Sequence, residues 1–95
     1  MLVKIHKAGG KKIVSIADKE LIGKDLEDGE KYLKISECFY KGEEMSGKEI
    51  LNELEDANSL NIVGKDSINF CIKNKIVDKE NILKIKNVPH AIVIL

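Results

Sequence analysis

The chain has 95 residues, of which 43% are apolar and 34% are charged, so it is large enough for one domain spanning residues 1–95 and too apolar for a disordered chain. Its formal net charge is zero and all 16 basic residues are lysine, which excludes bidentate reading of phosphate or guanine by arginine. It has neither a signal-peptide pattern nor an apolar run near the roughly 20 residues of a membrane span, so we expect a cytoplasmic protein without membrane partners.

The first 17 residues are predicted to form a β-hairpin. Leu2–His6 alternates between apolar and polar residues, and Lys12–Ala17 is rich in β-branched residues. Gly9 and Gly10 lie between the two segments and can adopt the positive φ angles of a tight turn. The polar side of this hairpin is basic.

The next segment carries weaker signals. Asp18 is predicted to cap a short helical turn that ends at Gly23. The polar stretch Lys24–Gly29 is predicted to be a loop, and Tyr32–Ser36 alternates as a third strand. Cys38–Met45 is predicted to be an irregular connection.

The most strongly predicted element is a helix that opens at Ser46. Ser46 and Glu49 have the spacing of a capping box, in which each side chain binds the backbone N–H of the other. Apolar residues then recur at helical spacing and predict one buried stripe; they are Ile50, Leu51, Leu54 and Ala57.

The last third of the chain predicts two buried strands around a second helix. Leu60–Val63 is a short apolar strand, and Asp66 is predicted to cap the helix that follows, with Ile68, Cys71 and Ile72 on its core face. Asp78 is predicted to cap a further short turn. Ala91–Leu95 is almost wholly apolar, which predicts a strand covered on both faces.

Together these elements predict an α+β (mixed α/β) fold in a single small domain. The expected architecture is a mixed sheet of about five strands, including the N-terminal β-hairpin, with two main helices.

Five short segments, spread from the first strand to the last, occur together in one order. They are Val3-Lys4-Ile5-His6, Glu20-Leu21-Ile22-Gly23-Lys24, Phe39-Tyr40-Lys41-Gly42-Glu43, Asn61-Ile62-Val63-Gly64 and Val88-Pro89-His90-Ala91. In this order they resemble an archaeal protein family known as domain of unknown function 424, over essentially the whole chain. The resemblance implies a small α/β protein of the archaeal cytoplasm, and it implies no activity.

Charge is distributed unevenly despite the zero total. Residues 1–17 and 81–95 contain six lysines and no acid, whereas all 16 acids lie in residues 18–80. If the hairpin and the last strand are neighbours in the sheet, the two ends form one basic face that can attract an anionic partner. The predicted binding residues are Lys4, His6, Lys7, Lys11, Lys12, Lys84, His90 and Tyr40.

The favoured function is therefore a non-enzymatic binding module that docks RNA or a ribonucleoprotein, with a role in translation as the narrower hypothesis. Lysines that alternate along strands are also the ordinary solvated face of a sheet, so that interpretation stays open.

Two other functions stay open as well, although the sequence contains no catalytic signature. A small enzyme or ligand-binding protein could use His6, His90 and the Phe39–Glu43 loop, because histidine titrates near neutral pH. A protein–protein interaction domain could use the acidic helix face at 53–56.

The histidines and cysteines lack the spacing of metal ligands, so we expect no metal site, and no cofactor motif is present. Cys38 and Cys71 are expected to be free thiols, with Cys71 buried.

Overall fold

The protein folds around a mixed β-sheet, and the computed structural model describes all residues from 1 to 95. The six strands of this sheet are β1 (Leu2–Ala8), β2 (Lys11–Ala17), β5 (Glu43–Glu44), β6 (Ser59–Val63), β7 (Leu83–Ile85) and β8 (Val88–Ile94). A separate two-stranded hairpin consists of β3 (Asp25–Asp28) and β4 (Lys31–Lys34). The helices are α1 (Glu37–Tyr40), α2 (Gly47–Leu54) and α3 (Lys65–Lys73), with single 3-10 turns at Lys19–Leu21 and Lys79–Asn81.

The strand order in the main sheet is β5-β1-β2-β6-β8-β7. β2 and β6 are parallel, and every other neighbouring pair is antiparallel. The α+β class and the mixed sheet are confirmed, with six strands rather than the predicted number of about five. The additional edge strands, β5 and β7, have two and three residues, which is too short for a recognisable alternation.

The predicted N-terminal hairpin is confirmed. Ala8 lies opposite Lys11 in the β1–β2 register, so the loop consists only of Gly9 and Gly10. Their φ angles are +57° and +78°, and a two-residue turn of this kind matches the right-handed twist of the strands.

One face of the sheet, which we call the helix face, packs against α2 and α3. The capping box at Ser46 is confirmed, and Ile50, on the side of α2 that faces the sheet, is completely buried. Leu51 is 39% exposed, so its predicted place in the core is wrong, and Leu54 is only half-buried. The buried residues on this side are Val3, Val14, Ile16, Ile50, Leu60, Ile62, Ile68, Cys71, Val77 and Ala91.

The opposite face, which we call the hairpin face, is partly covered by the β3–β4 hairpin and α1. Their apolar side chains form a second, smaller core with Ala17 and Val63. The prediction of a loop at Lys24–Gly29 is therefore wrong, because Asp25–Asp28 forms strand β3. A single leucine among acids gives no strand pattern, and β3 is ordered by pairing Leu26 with Leu33 of β4.

Strand β8 does not have the two covered faces that its apolar sequence predicted. Pro89 and Ala91 are buried on the helix face, but Ile92 and Ile94 are 65% and 80% exposed on the hairpin face. The β3–β4 hairpin and α1 do not cover this part of the sheet. An apolar sequence shows that a strand could be covered on both sides, whereas coverage itself depends on distant elements.

Asp18 has a different role from the predicted one. Its buried carboxylate accepts hydrogen bonds from the backbone N–H of Asp66 (3.0 Å), and from the N–H (2.8 Å) and Oγ (2.7 Å) of Ser67. It thus caps α3 from 48 residues away, and the predicted capping role of Asp66 is wrong. Gly64 precedes α3 with a φ of +110°, and a Cβ there would overlap the Asp18 carboxylate.

Candidate anion-binding cleft

The two basic ends of the chain do not form one face. β6 lies between β2 and β8, and Lys84 is on β7 at the far edge of the sheet. The prediction of a shared basic face is wrong because β6 pairs in parallel with β2 and separates the hairpin from the last strand.

The lysines of the hairpin are also divided between the two faces of the sheet. Cross-strand partners share a face, and Lys7 is paired with Lys12 beside the Ile5–Val14 pair of the helix face. Lys4, His6 and Lys11 lie on the opposite side. Five of the predicted binding residues therefore cannot act on one flat ligand surface.

Lys12 is a structural residue. Its side chain is buried, and its Nζ donates to the Glu53 backbone carbonyl (2.8 Å), to Glu53 Oε1 (3.0 Å) and to Asp56 Oδ1 (2.5 Å). The hydrogen bond to Asp56 raises the pKa of Lys12 against the opposing effect of desolvation. Lys12 thus anchors the C-terminal end of α2 to β2 and has no free positive charge to offer a ligand.

His6 and Lys4 hold α1 against the hairpin face. Lys4 Nζ donates to the Cys38 carbonyl at 2.6 Å, and His6 Nε2 lies 2.9 Å from the Phe39 carbonyl. Because a carbonyl only accepts, His6 Nε2 is the donor of this hydrogen bond. The His6 ring also stacks on Phe39 with a centroid distance of 4.5 Å. Tyr40 is buried, which raises its pKa.

His90 is remote from His6, so the structure does not support an acid/base pair. The two residues are on β8 and β1, three strand spacings or about 14 Å apart across the sheet, and the register offsets them by four positions along the strands. The Nε2 atom of His90 is buried without a hydrogen-bond partner, and desolvation lowers the pKa of the ring. No group of three or more His, Cys, Asp or Glu side chains could hold a metal ion. Cys71 is buried as predicted, which raises its pKa to about 12, and Cys38 is exposed.

The structure instead brings four lysines together around one cleft. The cleft has a volume of about 690 Å³ and lies between α3 and the β7 edge of the sheet. Lys31, Lys65, Lys79 and Lys84 line it, and of these only Lys84 was predicted. The other lining residues are Ile68, Asn69, Ile72, Ile82, Leu83, Asn87 and Pro89.

Each cleft lysine is contributed by a different element. Lys65 is the first residue of α3, Lys79 begins the second 3-10 turn, Lys84 is in β7 and Lys31 begins β4. Ile68 is buried and Ile72 is half-buried, so the floor between the lysines is apolar. Asn87 enters from the β7–β8 turn, where it has a φ of +64°.

The cleft lysines are free of internal ion pairs. The only cations within 4.0 Å of a carboxylate are the N-terminal amine, Lys12 and Lys41. No acid lines the cleft, although Asp18, Glu20 and Asp66 line a neighbouring groove that shares Lys65. The cleft is within the size range of ligand sites, and it suits an anion that also has an apolar part.

The comparisons with known proteins agree with the sequence resemblance. Residues 6–95 match the model of the family described as "Protein of unknown function (DUF424)". The chain belongs to this family. The chain is also similar to a solved structure, the crystal structure of an uncharacterized conserved protein from Methanopyrus kandleri. Their identity is 26% and the TM-score is 0.76, over 97% of this chain and 88% of the other. No curated protein matches the chain.

The family is described as one of unknown function, so the chemistry has to be argued from the residues of the chain. None of the helices has the length and apolar character needed to cross a bilayer. The cleft was missed at the sequence level because three of its lysines lie within residues 18–80, where they are interspersed with acids. Recognition of β7 and β8 as a hairpin would have helped, because this pairing brings Lys84 and Asn87 close to α3.

Proposed function

We propose that the protein is a non-enzymatic binding module that docks RNA, free or within a ribonucleoprotein, through the cleft between α3 and β7. The observation that carries this proposal is that Lys31, Lys65, Lys79 and Lys84 surround one cleft without an ion-pair partner or a lining acid.

The chemistry of the cleft favours phosphate contacts over base reading. Lysine acts as a point charge, and binding of a phosphate by lysine releases condensed counterions from the nucleic acid. Because the protein has no net charge, attraction depends on where the unpaired lysines lie. Floor residues such as Ile68 can contact sugar or base surfaces, and Asn69 and Asn87 can donate hydrogen bonds from their amides.

The narrower parts of this proposal are a cytoplasmic location and a role in translation. Both are consistent with a partner that is RNA or a ribonucleoprotein. Catalysis by the histidines has less support, since His6 is bound to Phe39 and is separated from His90 by two strands.

The proposal is tested by titrating the protein into fluorescently labelled single-stranded RNA while anisotropy is measured at several salt concentrations. If all four lysines neutralise phosphates, the slope of log K against log salt is about −2.8, at about −0.7 for each phosphate. The double variant Lys65→Glu/Lys84→Glu is expected to weaken binding and to reduce the magnitude of this slope by about 1.4.

A matched control is the double variant Lys7→Glu/Lys11→Glu at the tip of the β1–β2 hairpin, where both lysines are exposed. It introduces the same charge change and is expected to leave the slope unchanged. Equal weakening by both double variants would contradict binding at the cleft, and no association at low salt would contradict RNA binding altogether.

The ribonucleoprotein part of the proposal is tested by affinity capture from native cytosol with and without ribonuclease. We expect ribosomal or other RNA-containing particles to be captured by the native protein, and to be lost with the cleft double variant. Capture of the same particles by both proteins would place the contact elsewhere.

A further inference from the structure

Strand β8 has an open edge over its second half. β7 pairs only with Val88–His90, because Ile85 lies opposite Val88 and Leu83 lies opposite His90. β8 continues to Ile94, and on its other side it pairs with β6 up to the Ser59–Ile94 pair. The edge facing away from β6 is therefore unpaired beyond His90.

The backbone groups on this edge belong to Ile92 and Ile94. Gly64 donates to the Pro89 carbonyl and Leu95 donates to the Asn58 carbonyl, each at 2.9 Å, so the odd-numbered residues of β8 face β6. Successive residues of a strand point their N–H and C=O groups to opposite edges, so those of Ile92 and Ile94 point away from β6. The same two residues have exposed isoleucine side chains, at 65% and 80%.

This edge lacks the features that usually prevent strand association. Exposed edges are generally protected by lysine, by proline or by very short strands. At the opposite edge of the sheet, β5 has two residues, Glu43 and Glu44, and the adjoining β1 carries Lys7. The segment Ala91–Leu95 contains neither a charged side chain nor proline.

We infer that Ala91–Leu95 is a homodimer interface, at which it pairs antiparallel with the same segment of a second copy of this chain. The register that uses the outward groups places Ile92 opposite Ile94 of the second copy, and Ile94 opposite Ile92. The two-fold axis then passes beside Val93. Each of the two symmetric pairs exchanges both N–H···O=C hydrogen bonds, so the interface contains about four of them.

The length of the open edge fits this occupant. In the proposed register Ala91 lies opposite Leu95 of the second copy, and the next position of β8, His90, is already paired with Leu83. The residues of Ala91–Leu95 can therefore pair with one another without meeting β7. Because none of the side chains of Ala91–Leu95 is charged, no like-charged side chains face each other across the pair.

The expected dimer is closed and weak. An isologous contact uses both open edges at once, so association stops at two copies. A five-residue strand is about 17 Å long, and so short a strand pair falls below the roughly 1,200 Å² of a stable interface. The dimer should therefore form in a concentration-dependent manner.

The test measures molar mass by analytical ultracentrifugation from low micromolar to millimolar protein, after ribonuclease treatment so that bound RNA does not contribute. The mass of the native chain is expected to rise from one copy towards two. Ile92→Lys should raise the dimer dissociation constant by at least about tenfold, because it places a lysine opposite Ile94 in each of the two symmetric pairs and brings the two lysines to diagonal positions across the two-fold axis. Leu51→Lys, at an exposed leucine on α2, is the matched control and should dimerise like the native chain.

A second variant tests the backbone contacts. Ile94→Pro removes an outward N–H without removing a bond to β6, and it should also abolish dimerisation while circular dichroism shows a native fold. A native chain that stays monomeric throughout would overturn the inference and leave the edge to a strand of another protein. A dimer that persists in Ile92→Lys would overturn it too, because the contact would then be elsewhere.

Discussion

At the scale of single residues, the same amino acid serves different purposes in this protein. Lys12 is buried and bound by Glu53 and Asp56, whereas Lys65 and Lys84 are exposed and have no ion-pair partner. The sequence assigned Lys12 and Lys84 to one basic face because both lie in the terminal segments, residues 1–17 and 81–95, which contain no acid. The acids that bind Lys12 are more than 40 residues away, so only the folded chain shows that its charge is already used.

Reversal of the charge at Lys12 is therefore expected to destabilise the fold rather than to affect binding alone. In Lys12→Glu three carboxylates would meet at the end of α2, and the Glu53 carbonyl would lose its donor. Urea denaturation should show a lower midpoint with an unchanged slope. Lys11→Glu, at the exposed neighbour, is the control and should unfold at the native midpoint. Equal midpoints for both variants would contradict the structural role of Lys12.

His90 predicts a pH dependence of stability. Desolvation lowers its pKa in the folded state below the ordinary value of 6.5, so the unfolded chain binds more protons between the two values. The free energy of unfolding should therefore fall as the pH decreases through about 6.5, and level off below the folded-state pKa as far as this residue is concerned.

The measurement for His90 is urea denaturation of the native chain and of His90→Gln across this pH range. The difference in stability between the two proteins should shift in favour of the variant at lower pH, since glutamine does not titrate. A constant difference across the range would contradict this prediction.

At the scale of elements, the two main helices are capped in different ways. The cap of α2 is local, since Ser46 Oγ accepts from Glu49 N–H at 3.2 Å and Glu49 Oε1 accepts from Ser46 N–H at 3.0 Å. The cap of α3 comes from Asp18, which is distant in sequence and buried. A spacing of three residues is visible in a sequence, and a contact over 48 residues is not.

The two caps should contribute differently to stability. Ser46→Ala removes an exposed neutral acceptor and should cost about 1 kcal/mol. Asp18→Ala leaves buried donors on Ser67 without a partner and should cost roughly 2–4 kcal/mol. Asp66→Ala, at the exposed position that the sequence favoured as the cap, should cost only about 0.5 kcal/mol. Urea denaturation of the three variants measures these values, and a larger loss for Asp66→Ala than for Asp18→Ala would contradict the assignment.

At the scale of the whole molecule, strand order decides which residues can act together. The insertion of β6 between β2 and β8 separates the two basic ends of the chain, and the pairing of β7 with β8 brings Lys84 beside α3. The cleft and the open β8 edge are both consequences of the short strand β7. It extends far enough to form one wall of the cleft, and it ends before it covers Ile92 and Ile94.

The sequence by itself determined the features whose causes are local. The Gly9-Gly10 turn, the Ser46 capping box, the apolar face of α3 and the α+β class follow from residues that are close along the chain. The tertiary structure alone decided the neighbours of each strand, the distant partners of Asp18 and Lys12, and the gathering of four lysines around one cleft. The physical reason is that local backbone preferences act over a few residues. Strand order and burial instead depend on which apolar faces meet when the whole chain is packed.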